Sequence, residues 1–133
     1  MGRGARDAGF LIRRAQRQNL AELDAALADH GTTMAQWSVL RVITENPGSS
    51  ARALASHTRQ TEQSLGTLVT PMVERGLIER VRRGNKFEHS LTRKGQTLLA
   101  ECEPVVNAVL DERMSPLSAA EITQLCRLLE RIV

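Results

Sequence analysis

Aromatic residues are nearly absent from this chain. Trp37, Phe10 and Phe87 are the whole inventory, 2% of 133 residues, and there is no tyrosine. Stacking of unpaired bases on aromatic rings needs more than this, so single-strand and RNA-type recognition are disfavoured, and the core must be built from Leu, Val, Ile, Ala and Met. Cysteine is scarce as well. Cys102 and Cys126 stand far apart with no second ligand cluster, which excludes a zinc site or a disulfide framework. Both sit at helical spacing among apolar neighbours, Leu98, Leu99 and Val106 for one and Ile122, Leu125 and Leu129 for the other, so both are expected to be buried, inert thiols. Long apolar runs are missing: Phe10 to Ile12 is followed at once by Arg13, too short for a secretory signal, and no stretch is suited to span a membrane. A reducing, cytoplasmic setting is expected. No nucleophile with a neighbouring base, no paired carboxylates and no phosphate-cradling glycine loop stands out, so neither an enzyme nor a cofactor or metal is expected.

What the chain does have is an ordinary globular composition, 41% hydrophobic and 25% charged, with its charge unevenly placed. Between Arg75 and Lys94, seven basic residues (Arg75, Arg80, Arg82, Arg83, Lys86, Arg93 and Lys94) face only Glu79 and Glu88. That segment carries +5 of a formal total of +3, which leaves −2 for the remainder. A local excess on a near-neutral protein is the electrostatic footprint of a surface that meets phosphate.

Periodicity predicts about six helices and one hairpin. Residues 7–30 form a long amphipathic helix with Ile12, Leu20, Leu23 and Leu27 on one side and Gly31 as its stop. Thr33 and Gln36 make a capping box for a second helix that buries Trp37, Leu40 and Ile43 or Thr44 before Asn46-Pro47-Gly48 turns the chain. Ser49 or Ser50 caps a short helix over 51–58, with Leu54 and Ala55 inward. Arg59 and Gln60 form a turn, and Thr61 caps a helix over 62–75 that Gly76 ends. Its apolar stripe is Leu65, Leu68, Val69, Met72 and Val73; at about 100° per residue the opposite face is Gln63, Thr67, Thr70 and Glu74, flanked by Ser64 and Gly66. Pro71 removes a hydrogen bond to Thr67 and is expected to bend the helix or loosen its last turn.

Residues 77–83 and 86–91 read as strands joined by Gly84-Asn85, with Ile78 opposite Leu91, Arg80 opposite His89 and Arg82 opposite Phe87. That register also suits a cation–π pair between Arg82 and Phe87. Thr92 then caps a long helix through Leu98, Leu99, Val105, Val106, Val109 and Leu110, kinked at Pro104. A capping box of Ser118 and Glu121 opens a last helix with Ile122, Leu125, Leu129 and Ile132 inward.

Helix, short turn, helix and basic hairpin is the order of a winged helix-turn-helix, whose second helix enters the major groove of double-stranded DNA. Gln63 has the amide geometry for adenine, Thr67 offers a hydroxyl or methyl to thymine, and Ser64 lies beside them. Gly66 lets the backbone approach the duplex. The helix starts at Ser50 and at Gln60–Thr61 offer amides to phosphate, while Arg59, Arg82, Arg83 and Lys86 position the protein on the backbone. The alternative is a winged-helix module that binds a protein partner, consistent with the lack of any cation on the exposed first turns of the recognition helix.

The segment from TMAQWSVLRVITENPGSS through GLIER, followed by a hairpin and SLTRKG, resembles the MarR family of bacterial transcription regulators. The likeness extends to the long first helix and to the closing MSPLSAAEITQLCRLLERIV, and so covers nearly the whole chain. It implies a homodimer joined through residues 1–31 and 96–133, a DNA-binding region over 32–95, a pseudo-palindromic operator with half-sites about one helical turn apart, and repression relieved by a small ligand or an oxidant. The family's effector pocket between the two regions makes His30, Met34 and Trp37 candidates for ligand contact. Oxidant-sensing relatives place a cysteine near the start of the first helix, where this chain has none. Arg83-Gly84-Asn85-Lys86 replaces the family's longer D-x-R-like wing loop, so backbone contact by Arg82, Arg83 and Lys86 is expected rather than deep insertion into the minor groove.

Overall fold

The computed structural model describes residues 2–133. Its elements are α1 (Ala5–Ala28), α2 (Met34–Glu45), α3 (Ala51–His57), α4 (Glu62–Glu74), β1 (Ile78–Arg83), β2 (Lys86–Leu91), α5 (Arg93–Met114) and α6 (Ala119–Glu130). The architecture is the mostly helical winged helix-turn-helix that the periodicity predicts.

Helix α1 starts two residues earlier than its apolar pattern, because the Asp7 carboxylate accepts the Gly4 amide at 3.0 Å and closes the first turn there. It ends at Ala28, and Gly31, at φ +72°, carries the chain out while the Thr32 amide returns to the Leu27 carbonyl. Asp24 on α1 accepts the Met34 amide at 2.8 Å, satisfying a free donor of α2 from the side of a neighbouring helix. Thr33 caps α2 through the Gln36 amide, but the reciprocal half of the expected capping box is not made. The Gln36 side chain instead accepts from the Thr32 hydroxyl at 3.0 Å and from Arg75 at 3.4 Å, tying α2 to the end of α4.

The core forms around α2, which packs on the last third of α1 and on α3, α4 and α5. Leu27, Leu40, Ile43, Leu54, Leu65 and Met72 are among its fully buried side chains. Leu23 and Leu27 behave as expected, whereas Ile12 and Leu20 remain 44% and 42% exposed. The same correction applies to α6. Ile122, Leu125 and Leu129 are only half-buried and Ile132 is 68% exposed; Leu125, Leu129 and Ile132 face clefts shared with the first half of α1, beyond the reach of the core. Cys102 is buried as expected, but Cys126 on α6 is exposed. Pro71 and Pro104 are absorbed within α4 and α5, which continue through them.

The hairpin is anchored at its base. Thr92 caps α5 through the Gly95 amide, donates its hydroxyl to the Gly76 carbonyl, and donates its backbone N–H to Leu77 at 3.1 Å. Gly95 lies so close beneath the Leu77 carbonyl that a Cβ there overlaps backbone atoms. This contact is the physical reason for glycine in the Leu91-Thr92-Arg93-Lys94-Gly95 sequence.

Candidate nucleic-acid interface

Two surfaces flank one cleft on the side of the molecule formed by α3, α4 and the hairpin. On α4 the expected inner stripe is buried at Leu65, Val69 and Met72, and Gln63, Ser64, Thr67, Thr70 and Glu74 are exposed. Gly66 faces open space, with nothing near the position of an added Cβ. The side chains of this face are not equally available. Thr67 donates its hydroxyl to the Gln63 carbonyl at 3.1 Å. Ser64 donates to Gln60 at 3.1 Å, Gln60 donates to Thr58 at 2.8 Å, and Thr58 donates to the Leu54 carbonyl at 2.7 Å. That relay fixes the end of α3 against the start of α4 and sets the angle of the helix pair. Among the described residues, the Gln63 side chain alone of Gln60, Gln63, Ser64 and Thr67 makes no hydrogen bond. Ser50 and Thr61 spend their side chains as caps, accepting the Ala53 amide at 3.1 Å and the Ser64 amide at 3.0 Å. The other first-turn amides retain no intrahelical acceptor.

The turn between α3 and α4 holds a feature that residue pattern does not reveal. Arg59 has φ +53°, the left-handed region usually left to glycine or asparagine, at a cost of about 1 kcal/mol. Its side chain is exposed.

In the wing, β1 and β2 pair in the expected antiparallel register, including Ile78 with Leu91, Arg80 with His89 and Arg82 with Phe87. Gly84 at φ +61° supplies the turn. The expected cation–π partner changes: Arg80, diagonal to Phe87, lies over its ring at 5.7 Å, while Arg82 donates to the Gly84 carbonyl at 3.2 Å. Arg83 pairs with Glu88 at 3.0 Å. Lys86 has no ion pair among the described residues.

Residue pattern also misses the third contact of the hairpin. Ser49 bridges to His89: the His89 amide donates to the Ser49 carbonyl at 3.0 Å, and the Gly48 amide donates to His89 at 3.0 Å. This seam docks β2 on the loop before α3 and leaves a cleft of about 250 Å³. Its walls carry Arg52 from α3, Glu62 from α4, Arg80 from β1, and Lys86, Phe87 and His89 from β2. Arg52 and Arg80, which periodicity did not single out, therefore join Lys86 beside the α4 face. Burial, and secondarily the Arg80 charge, lowers the His89 imidazole below its ordinary value, against the opposing effect of its hydrogen bond to Ser49.

The expected effector residues lie apart from this face. Trp37 is buried, donates from Nε1 to the Leu99 carbonyl at 3.4 Å and is covered by Arg41 at 5.2 Å. It borders a cleft with Thr44, Glu45, Leu99 and Glu103, and neither His30 nor Met34 lines that cleft. Met34 is half-buried and packs on the core, and His30 is exposed at the end of α1.

A sequence model of the MarR family matches residues 30–85, the span from the end of α1 to the wing tip. The transcriptional regulator HosA of Escherichia coli O157:H7 is 30% identical over 114 residues, covering 83% of this chain and 82% of HosA. The chain belongs to the MarR family. Within this family, the chain is also similar to the HTH-type transcriptional repressor Rv2887 of Mycobacterium tuberculosis, 29% identical over 127 residues and covering 93% of this chain and 91% of the repressor. A crystal structure of Rv2887 in complex with DNA superposes with a TM-score of 0.78 over 93% of this chain and 95% of that one, at 28% identity. A MarR-family regulator from Rhodococcus sp. RHA1, 23% identical, shares the fold with a TM-score of 0.89 over 99% and 97% of the two chains. As a MarR-family member, this protein is a DNA-binding transcriptional regulator. No described helix is long and apolar enough to cross a membrane.

Proposed function

We propose that this MarR-family protein is a homodimeric repressor that holds a pseudo-palindromic operator with the α4 face in the major groove and the wing on the flanking backbone. The observation that carries the reading is the division of the surface. An α4 face that is uncharged from Gln63 to Thr70, with the free amide of Gln63, suits base edges, and the neighbouring cations suit phosphate. Gln63 reads bases in this arrangement, with Ser64 and Thr67 contributing their outward edges. Ser50, Gln60 and Thr61 present helix-start amides to phosphate. Arg59, Arg82 and Lys86 position the duplex, while Arg83 contributes less because Glu88 holds it.

Residues 32–95 form the DNA-binding region, and the terminal helices form the dimer. Supporting the second assignment are the apolar side chains left uncovered on α1 and α6, including Phe10 at 64% and Leu128 at 50% exposure. A second copy that buries these rows also brings two recognition helices to successive half-sites. The repressor Rv2887 has been crystallised with salicylic acid; by analogy, a small effector acts on this chain through the junction near His30, Met34 and Trp37. The chain works in the cytoplasm and carries no catalytic activity of its own.

The test is a fluorescence anisotropy titration against a duplex from upstream of the protein's own gene and against a random duplex, across a range of salt. Tight upstream binding, weaker random binding and a steep salt dependence are expected. Absence of binding at low salt overturns the reading.

A further inference from the structure

The cleft between α3 and the wing contains a buried histidine among cations. Arg52, Arg80 and Lys86 reach it from three elements, and none forms an ion pair among the described residues. Glu62 is the one carboxylate in its walls. His89 is 2% exposed and is fixed by its ring as well as its backbone, with Nδ1 2.8 Å from the Ser49 carbonyl. A carbonyl only accepts, so Nδ1 carries a proton and the neutral ring keeps Nε2 as the site for a second one.

We propose that this cleft seats a phosphodiester of the duplex backbone on Arg52, Arg80 and Lys86, and that His89 takes up a proton from solvent as the phosphate enters, so that DNA is bound more tightly as pH falls. The inference rests on the DNA-binding reading above and adds proton linkage to it. Its physical basis is the charge balance around the ring. In the free protein, an imidazolium faces Arg80 across the strand pair and Arg52 and Lys86 in the cleft walls, with only Glu62 in opposition. Glu88, the neighbouring carboxylate on β2, is held by Arg83. From the helices behind the wing, Arg41 and Glu45 of α2 pair with each other at 3.4 Å, and Lys94 of α5 donates to the Arg75 carbonyl at 3.0 Å. None of these groups supplies His89 with a free carboxylate. Burial and the Arg80 charge consequently keep the ring neutral. A phosphate brought among the three cations reverses the local field and favours the charged ring. The seam to Ser49 survives protonation, since Nδ1 donates in both states.

The experiment uses the full chain with His30→Gln and His57→Gln, so that His89 is the sole histidine. Its affinity for a random-sequence duplex is measured from about pH 8 to about pH 5.5, above the ordinary range of carboxylate titration. Affinity is expected to rise by several-fold toward acid, with a slope below about tenfold per pH unit, the limit for one proton. His89→Asn, which retains an N–H donor near the Nδ1 position, is expected to flatten that dependence. Arg52→Ala and Arg80→Ala are expected to lower affinity and reduce the salt slope. NMR titration of the His89 ring provides a readout that does not require the Asn variant to fold: added duplex is expected to move its titration to higher pH. Duplex binding with an unmoved His89 titration overturns this inference and leaves the DNA-binding reading intact. Absence of duplex binding at low salt throughout the range overturns both. Inorganic phosphate at constant ionic strength is expected to leave the titration in place; if it reproduces the shift by itself, the site serves small anions and the proposal fails.

Discussion

Arg83 Nε lies 3.0 Å from Glu88 Oε2, so one of the two arginines nearest the wing tip is already neutralised by its own strand partner region. The pair is exposed and adds little to stability, about 0–1 kcal/mol. Its effect is on the surface field. Glu88→Gln is expected to release Arg83, tighten binding to any duplex, and steepen the plot of log affinity against log salt by roughly one phosphate contact, about 0.9. Anisotropy titrations across salt check this; an unchanged slope means that Arg83 does not reach the backbone.

Gly66 separates stability from recognition. An added Cβ meets nothing in the free protein, so Gly66→Ala is expected to stabilise α4 by about 0.5–1 kcal/mol in urea unfolding. In the proposed arrangement the same methyl group stands where the helix approaches DNA, and operator binding is expected to weaken by about 1 kcal/mol, the scale of one base contact. Gains in both quantities argue against close approach at this position.

Gly95 lies under a neighbour's backbone. An added Cβ there overlaps the Leu77 carbonyl, whose carbon belongs to the main chain and cannot rotate away. Gly95→Ala is expected to cost about 1–3 kcal/mol, the usual scale of overpacking, and to lower the melting temperature. A melting temperature equal to that of the parent rules out the tight joint between α5 and the wing base.

His89 gives stability a pH dependence with a definite sign. Burial lowers its folded-state value below the unfolded one, ordinarily about 6.5, so the unfolded chain binds more protons in between. Stability from this residue is therefore present above about pH 6.5 and declines as pH falls through the folded value. Urea midpoints measured in the absence of DNA are expected to fall with acid in the parent and to fall less in His89→Asn.

The two cysteines are expected to react at different rates. Cys102 is fully buried, and burial raises its thiol above the ordinary value, with the Glu101 charge acting in the same direction. Cys126 is exposed on α6. A maleimide reagent is expected to modify Cys126 in the folded monomer and Cys102 only after unfolding, as read by mass spectrometry. Protection of Cys126 that disappears on dilution of the protein places it within the dimer contact.

Much of the framework that holds the candidate site was legible in sequence because its devices are local. Thr33, Ser50, Thr61, Thr92 and Ser118 each cap the helix that their spacing predicts, and the hairpin register follows from strand alternation around Gly84. Expectations went astray where a side chain had a choice of partners. Gln36 turned from its own helix start to Thr32 and Arg75, and Arg80 took the Phe87 ring in place of Arg82. Long side chains reach several neighbours at nearly equal energy, and the choice among them depends on elements that periodicity does not bring together.

Helix order, the polar face of α4 and the concentration of charge near the wing were determined by sequence alone, since each depends on interactions within a few residues or on a count of charges. Tertiary structure decided which cations are free, which α4 side chains are spent in the relay from Ser64 to Leu54, and that the apolar rows of α1 and α6 remain uncovered. It also brought Ser49 against His89 across 40 positions, through a seam that closes only when the loop before α3 and the far strand of the wing dock on the same core.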